Sequence, residues 1–346
     1  MLAVMKTKPE KGIEIVDCPI PSLTSPKEVL IKVEACGVCG SDLHFYEWKE
    51  YIRDDLTLPR ILGHEVSGTV VEVGSDIKDF KPGDRVVTET WGGCGDCYYC
   101  RLGKFNHCLH QTRIGQKADG GMTNYLLITG NSLYHIPSSI PFDEAAVIEP
   151  VGVALRGWEC AKYFKPGDSV VVIGPGPIGM FAGLIGKIAG ANEVIMVGTT
   201  NSAKRLELAE QHGMQTVNID DDSAYSKVLS LTKGRGAELV IDTSGGRESL
   251  SQAIKFAKLG GEIILVGISP DSIMPLSSIV NKGLSIVGSF RRLPHTWERA
   301  INLVHNYQVD VRPFISHVLP ITKVEEAFQL LQNRQAMKII LKPVLI

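Results

Sequence analysis

The sequence predicts an α/β protein of two domains, and three observations lead to that prediction. With 346 residues, 44% of them hydrophobic, the chain is long enough to bury two cores. Up to about residue 145 it reads as short β-runs broken by glycine, proline and aspartate, which favours a compact, mostly β domain. After about residue 150, apolar strands alternate with glycine turns and amphipathic helices, which is typical of a doubly wound parallel sheet.

The individual elements follow from hydrophobic periodicity and from the turn residues between them. In the first part, β-runs predict strands at 29–33, 67–73, 85–88 and 125–128. In the second part, the alternation predicts strands at 169–173, 193–197, 238–242 and 262–266, with helices at 177–189 and 202–212. The tail contains helical stretches at 297–306 and 324–333 and a final strand at 338–341, which allow it to rejoin the first domain.

The bulk composition excludes some partners. A formal net charge of −2, without any block of five or six basic residues, argues against nucleic acid or an anionic membrane as the main partner. The N-terminal residues lack the pattern of a signal peptide, and no later apolar run reaches the roughly 18 residues needed to span a bilayer. We therefore expect a cytoplasmic protein that acts on a small molecule.

Four of the eight cysteines stand close together in the pattern C-x2-C-x2-C-x7-C, namely Cys94, Cys97, Cys100 and Cys108. Four thiolates in one loop complete the coordination of a tetrahedral zinc, so the pattern predicts a closed, structural zinc site. Disulfide pairing is the alternative, and the length of the chain and the lack of a signal peptide disfavour it. Three further cysteines lie among apolar neighbours and are predicted to be small core residues: Cys18, Cys36 and Cys160.

A second metal site of different character is indicated by Cys39 and His64, which lie in the segments Gly-Val-Cys-Gly-Ser-Asp-Leu-His (37–44) and Gly-His-Glu (63–65). A cysteine, a histidine and a carboxylate from separate segments make a mixed zinc site that leaves one position open for water or substrate. Such a site performs chemistry, whereas the four-cysteine site holds a loop in shape.

A glycine motif at 174–179 predicts a dinucleotide site. The sequence Gly174-Pro-Gly176-Pro177-Ile178-Gly179 directly follows a predicted strand and opens a predicted helix. The first glycine permits a tight turn, the second lets the backbone approach a pyrophosphate, and the third lets the helix pack on the strand. The helix N-terminus then favours the anion.

The choice between NAD and NADP usually depends on a position about 20 residues later, where an acidic residue binds the ribose 2′-hydroxyl of NAD. This chain has Gly198 there, followed by Thr199, with Lys204 and Arg205 close behind. Without a carboxylate at this position nothing repels a 2′-phosphate, so the sequence favours NADP over NAD. In the alternative interpretation, Arg205 faces solvent and has no role in this choice.

Together these motifs resemble the zinc-containing medium-chain dehydrogenases, and most closely their sorbitol (polyol) dehydrogenase branch. The resemblance covers nearly the whole chain and also includes Ile-Glu-Pro (148–150) and Gly-Ser-Phe-Arg (288–291). It implies a GroES-like β catalytic domain interrupted in sequence by a Rossmann domain. The corresponding division is 1–148, 149–288 and a C-terminal segment, 289–346, that returns to the catalytic domain.

The resemblance implies particular ligands for the catalytic zinc. Cys39 and His64 match direct ligands, Glu65 matches the adjacent carboxylate, and Glu149 stands where the polyol branch has glutamate and other alcohol dehydrogenases have cysteine. A carboxylate is a harder ligand than a thiolate and exchanges with water, which suits a substrate with vicinal hydroxyls. The alternative for Glu149 is a buried carboxylate or helix cap without a metal role.

Further site residues are implied in the same way. Ser41 matches the hydroxyl that starts the family's proton relay, with a turn serine bonded to its own backbone as the alternative. His44 either passes that proton on or caps the turn. Cofactor contacts are implied for Val266, Gly267 and Arg291. Two positions depart from the polyol branch, since tyrosine is common there at the places of Phe45 and Arg292.

The implied activity is transfer of a hydride between a polyol or other secondary alcohol, or its ketone, and NAD or NADP, with two Zn²⁺ per chain. Zinc would act as a Lewis acid on the alcohol oxygen. Residues 44–48 also resemble threonine 3-dehydrogenases, so oxidation of an amino alcohol is a second interpretation. A non-catalytic NADPH-binding scaffold with only structural zinc is the third. The resemblance further implies a homodimer or homotetramer that pairs through the strand at 284–289.

Overall fold

The computed structural model of the chain describes residues 1–269 and 271–344, and it divides the chain into two compact units. The first unit is Met1–Glu149 together with Leu293–Ile346, and the second is Pro150–Arg292. The divisions fall after Glu149 and Arg292, whereas the sequence placed them after residues 148 and 288. None of the described helices combines the length and the apolar character needed to cross a membrane.

The N-terminal part of the first unit consists mainly of short strands. In chain order its strands and α-helices are β1 (Leu2–Lys6), β2 (Glu14–Asp17), β3 (Glu28–Gly37), α1 (Gly40–Glu47), β4 (Arg60–Ile61), β5 (Glu65–Val73), β6 (Arg85–Thr88), β7 (Trp91–Gly92), α2 (Tyr98–Arg101), β8 (Thr112–Arg113), β9 (Tyr125–Thr129), β10 (Leu133–His135), α3 (Phe142–Ala146) and α4 (Ile148–Cys160). Helix α4 contains the division between the units, since Glu149 is its second residue.

The second unit alternates strand and helix, as the sequence predicted. Its elements are β11 (Ser169–Ile173), α5 (Pro177–Ile188), β12 (Glu193–Gly198), α6 (Ala203–Gln211), β13 (Gln215–Asn218), α7 (Ala224–Leu231), β14 (Ala237–Asp242), α8 (Ser249–Phe256), β15 (Ala257–Leu265), α9 (Leu276–Lys282) and β16 (Ser285–Gly288).

The strands of this unit form one parallel sheet in the order β13-β12-β11-β14-β15-β16. All five residues of β11 are buried, as expected for a central strand with helices on both faces. Strand β11 has β12 as its neighbour on one side and β14 on the other, so the chain leaves β11 in one direction along the sheet and later returns on its opposite side. The carboxyl end of β11 is therefore a topological switch point, where open α/β sheets bind their ligands.

The C-terminal segment completes the first unit. It consists of α10 (Pro294–His305), β17 (Ile315–Pro320), α11 (Val324–Gln332) and β18 (Lys338–Lys342). Strand β18 pairs antiparallel with β3, opposite Cys36 and Gly37, and parallel with β17, so the main sheet has the order β10-β6-β5-β3-β18-β17. Strand β9 also pairs with β3. This pairing places the start of β18 beside the segment that leads to Cys39.

Candidate active site

The four-cysteine loop is brought together as predicted. The sulfur atoms of Cys94, Cys97, Cys100 and Cys108 all lie within 4.8 Å of one another. Backbone N–H groups point at the cluster: those of Cys94 and His110 donate to Cys108 Sγ at 3.2 and 3.3 Å. Such a donor set fits a tetrahedral zinc, because a cation is needed to hold four thiolates at this separation.

The thiols of this loop differ in acidity. Backbone N–H groups, first that of Leu109, lower the pKa of Cys97 to about 6. Burial raises the pKa of Cys100. Because burial disfavours the thiolate of Cys100, a divalent cation in the loop would stabilise the ionised form of that ligand. Of the cysteines outside the two metal clusters, Cys36 and Cys160 are buried as predicted, whereas Cys18 is only partly buried.

We expect Cys100→Ser to lose one zinc per chain and to lower the thermal midpoint by at least about 4 °C, roughly 1–2 kcal/mol of stability for a protein of this size. The reason is that metal-binding free energy in a closed site contributes to folding. Metal analysis and thermal unfolding of the full chain measure both effects. Cys160→Ser, the same change at a buried cysteine outside both clusters, is the control. A Cys100→Ser protein as stable as the parent, with all its zinc, would contradict a structural role.

Three donors of the second site also come together. The ligand atoms of Cys39, His64 and Glu65 lie within 4.8 Å of one another. The pairing of β3 with β5 explains this, since Gly37 at the end of β3 is opposite Glu65 at the start of β5. A Cβ at residue 37 would overlap Glu65 Oε2, so glycine there leaves room for the carboxylate. His64 is 7% exposed and Glu65 1% exposed, whereas Cys39 is partly exposed, so the cluster is buried on one side and accessible at Cys39.

A buried aspartate that the sequence interpretation missed supports this cluster. Asp42 Oδ2 accepts a hydrogen bond from the backbone N–H of Cys39 at 2.9 Å, and Asp42 Oδ1 lies 3.7 Å from His64 Nδ1. Burial lowers the pKa of His64, but Asp42 and Cys39 outweigh it and raise the pKa well above the usual range. A carboxylate beside Nδ1 leaves Nε2 as the nitrogen for a metal, as in many zinc sites. The capping-box spacing from residue 39 to residue 42 was the available signal.

A buried lysine was also missed. Lys338, at the start of β18, donates through Nζ to both oxygens of Glu65 at 2.7 Å and to the carbonyl oxygen of Val38 at 3.1 Å. Burial lowers the pKa of Lys338, but Glu65 and then Cys39 outweigh it and raise the pKa. The lysine therefore stays charged and fixes the position of the Glu65 carboxylate.

Glu149 faces the same cluster from α4. Its side chain is buried, and Oε1 accepts a hydrogen bond from the hydroxyl of Thr90 at 3.4 Å. Burial raises the pKa of Glu65, and the charge of Glu149 raises it further, so the two carboxylates interact electrostatically. Glu149 nevertheless stands outside the group of donors that lie within 4.8 Å.

The residues implied in proton transfer lie on α1. Ser41 and His44 are both half-buried in this helix, so Ser41 is a helical residue rather than part of an open turn. His44 Nδ1 is buried and has no hydrogen-bond partner within 1–269 and 271–344. Burial lowers the pKa of His44, which favours a neutral ring able to accept a proton.

The glycine motif has the local geometry of a nucleotide loop. Gly174 has a φ of +101°, and a Cβ there would lie 2.9 Å from Ser244 Cα. Gly176 precedes α5 and faces open space, whereas a Cβ at Gly179 would overlap the carbonyl oxygen of Gly174. This geometry fits the purpose predicted for each glycine, and at the middle one no atom would crowd the backbone. Pro177 and Ile178 begin α5.

The hydroxyl of Thr243, which the sequence interpretation did not identify, fixes this loop. It donates to the carbonyl oxygens of Ile173 and Gly174 at 2.9 and 3.0 Å. Just beyond β15, the backbone N–H groups of Val266 and Gly267 donate to the carbonyl oxygen of Asp242 at 2.8 and 2.9 Å. Because the strands are parallel, the loop, Val266 and Gly267 all lie at the carboxyl ends of the strands.

The remaining residues implied in cofactor binding lie at or near the same carboxyl ends of the strands. Gly198 ends β12, and Thr199 follows it. Arg205 is half-buried on α6. Arg291 lies beyond β16 with a φ of +49°, and its guanidinium is 4.2 Å from the centre of the Phe290 ring. Arg292, the departure from the polyol branch, is buried.

Comparison with known proteins gives consistent matches over both units. Residues 25–138 match the family described as "Alcohol dehydrogenase GroES-like domain", and residues 177–306 match "Zinc-binding dehydrogenase". The chain is 34% identical to the L-threonine 3-dehydrogenase of Pyrococcus abyssi, over 98% of each chain. It is 33% identical to the sorbitol dehydrogenase of Halalkalibacterium halodurans, over 99% of this chain and 100% of that one.

A solved structure agrees. An alcohol dehydrogenase from E. coli CFT073 in complex with the cofactor NADH is 27% identical, with a TM-score of 0.89 over 99% of each chain. The predicted fold class, a GroES-like mostly-β domain with a Rossmann parallel-sheet domain, is confirmed. The chain belongs to the zinc-containing medium-chain dehydrogenase/reductase family.

Proposed function

We propose that this zinc-dependent oxidoreductase transfers a hydride between a polyol or other secondary alcohol, or the corresponding ketone, and NAD(P). The observation that carries the proposal is the buried cluster of Cys39, His64 and Glu65, which is separate from the four-cysteine loop. A scaffold that needed zinc only for structure would have no use for a second, mixed donor set with a position left open.

The metal and the nicotinamide supply the electrophile and the hydride acceptor of this chemistry. Cys39 and His64 would hold the ion, and the carboxylates of Glu65 and Glu149 would face it. Lys338 orients Glu65 and compensates its charge in a buried environment. Asp42 Oδ1 lies 3.7 Å from His64 Nδ1, where its charge attracts that side of the ring. A carboxylate on this side of the ring is common for zinc-bound histidines.

We further propose a route for the proton that the alcohol loses. Ser41 lies two residues after Cys39 on α1, and His44 lies one turn further along the same helix. Because burial lowers the pKa of His44, its ring is neutral near pH 7 and can accept a proton. We propose that Ser41 receives the proton first and that His44 passes it on.

The substrate class is supported by two features of the chain. Glu149 replaces the cysteine of other alcohol dehydrogenases in the family, and Phe290-Arg291 follows the polyol branch. The 34% identity to a threonine 3-dehydrogenase favours a second candidate function, oxidation of the hydroxyl of an amino alcohol. Fold similarity does not decide between these substrates, because selectivity resides in the pocket.

A substrate screen tests the proposed function. Sorbitol, xylitol, galactitol, 2,3-butanediol, inositols and L-threonine would be offered with NAD⁺ and with NADP⁺, and the increase in absorbance of the reduced nicotinamide would be followed. We expect a polyol or secondary alcohol to give a kcat/KM at least about tenfold above that of threonine. Threonine as the best substrate would favour the second function, and no turnover with any compound would favour a scaffold.

We also propose that the chain forms a homodimer or homotetramer through the edge of the parallel sheet. Strand β16 is the last strand of that sheet, and neighbouring α9 exposes apolar side chains, among them Leu276 and Val280 at 63% and 77% exposure. An apolar edge strand usually pairs or is covered, and twofold pairing with a second copy covers it. We expect sedimentation velocity at micromolar concentration to show a dimer or tetramer. A single monomeric species would contradict the proposal.

A further inference from the structure

The position whose side chain normally binds the ribose is tightly packed in this protein. A Cβ at Gly198 would lie 2.7 Å from Ser202 Oγ, 2.9 Å from Pro175 Cγ and 3.0 Å from Leu206 Cδ2. The proline belongs to the glycine loop and the leucine to the buried face of α6. A side chain at 198 would push these three neighbouring side chains aside, so the local packing favours glycine. The missing carboxylate there does not by itself indicate a site for NADP.

A carboxylate reaches the same place from the neighbouring strand. Asn218 on β13 is the register partner of Gly198 on β12, and Asp220 follows two residues later. Asp220 Oδ2 accepts a hydrogen bond from the backbone N–H of Thr200 at 2.8 Å. Asn218 Nδ2 also donates to the hydroxyl of Thr200 at 3.1 Å. The carboxylate is therefore fixed at the carboxyl end of β12, two residues beyond Gly198.

We propose that Asp220 supplies, from β13, the negative charge that makes the nucleotide site prefer NAD(H) over NADP(H). The inference deepens the proposed function, because it assumes that the glycine loop holds the pyrophosphate of the cofactor. In open α/β sheets the adenosine ribose lies over the end of the second strand, which is β12 here. A 2′-phosphate placed there would meet a fixed carboxylate, and repulsion between like charges is one way in which a site rejects a ligand.

The charges nearby support this assignment. The segment 220–222 is Asp-Asp-Asp, with a formal charge of −3, whereas Lys204 and Arg205 contribute +2. Lys204 and Asp220 are both exposed, so water and salt screen both charges. The hydrogen bond from the backbone N–H of Thr200 holds the Asp220 carboxylate in place. Hydrogen bonds from Thr200, first that of its backbone N–H, lower the pKa of Asp220. The carboxylate therefore remains charged throughout the neutral range.

Binding measurements on the full chain test the inference without relying on turnover. Dissociation constants for NADH and NADPH would be determined by nicotinamide fluorescence for the parent, Asp220→Asn and Asp222→Asn. The asparagine at 220 keeps an oxygen that can accept from Thr200 and removes only the charge. Asp222→Asn removes the same charge from the same exposed segment and is the matched control.

We expect the parent to bind NADH at least about tenfold more tightly than NADPH, and Asp220→Asn to reduce that ratio by at least about tenfold. Asp222→Asn should change it less than about twofold. An equal or stronger affinity for NADPH in the parent, an unchanged ratio in Asp220→Asn, or an equal change in Asp222→Asn would each overturn the inference. If the parent bound neither nucleotide, the proposed function itself would be overturned and this inference with it.

Discussion

Replacing Cys39 or His64 with alanine is expected to lower kcat/KM for the best alcohol substrate by at least about 10³-fold, roughly 4 kcal/mol of transition-state stabilisation. Both residues lie in the mixed cluster, and removing either leaves too few donors to hold a Lewis-acidic ion in an open site. Steady-state kinetics and metal analysis of the full chain measure the loss, and zinc should fall from about two to about one per chain.

The loss should be confined to chemistry, because the four-cysteine loop is a separate cluster of its own. Cys18→Ala is a suitable control, since Cys18 is partly buried like Cys39 and belongs to neither cluster. It should retain both zinc ions and the turnover of the parent. Full turnover in Cys39→Ala or His64→Ala, with one zinc lost, would show that the mixed cluster is not the catalytic site.

Lys338→Met is expected to reduce the free energy of unfolding by about 3–5 kcal/mol, the usual cost of leaving one member of a buried ion pair without its partner. Both side chains of the pair are almost fully buried, with 4% and 1% exposure for Lys338 and Glu65. Removing the ammonium leaves the carboxylate without its two hydrogen bonds of 2.7 Å. Equilibrium unfolding in denaturant measures the effect.

Two further variants isolate the cause. Lys342→Met removes a lysine from the same strand, but that lysine pairs with Asp143 near the surface, so the cost should be at most about 1 kcal/mol. Combining Lys338→Met with Glu65→Gln removes both charges, and it should cost less than the sum of the two single changes. Additive costs, or a Lys338→Met protein no less stable than Lys342→Met, would contradict an energetically coupled pair.

Much of the fold was predictable because its signals are local. The strands of the parallel sheet are continuous apolar runs bounded by turn residues, and Ser169–Ile173 matches its prediction residue for residue. The four cysteines and the three motif glycines are likewise short-range patterns whose geometry follows from spacing. Helix α1 was not predicted, because Gly40–Glu47 shows no continuous apolar stripe at helical spacing.

The parts that escaped prediction depend on contacts between distant residues. Lys338 follows Glu65 by 273 positions, and only the pairing of β18 with β3 brings them together. Asp220 reaches Thr200 because β12 and β13 are parallel neighbours in register. Gly198 shows the opposite problem. Its sequence position suggested a choice of cofactor, whereas close packing against Pro175, Ser202 and Leu206 is a second reason for a glycine there. A local pattern does not report what packs against a residue.

Isotope transfer tests the central claim most directly. The full chain would be given its best secondary alcohol labelled with deuterium at the carbinol carbon, and the reduced nicotinamide would be analysed by mass spectrometry. If the buried Cys39, His64 and Glu65 cluster serves hydride transfer, the parent will move deuterium from that carbon to the nicotinamide ring, and Cys39→Ala will not. Reduced nicotinamide without the label, or labelled product from Cys39→Ala at the rate of the parent, would contradict the claim.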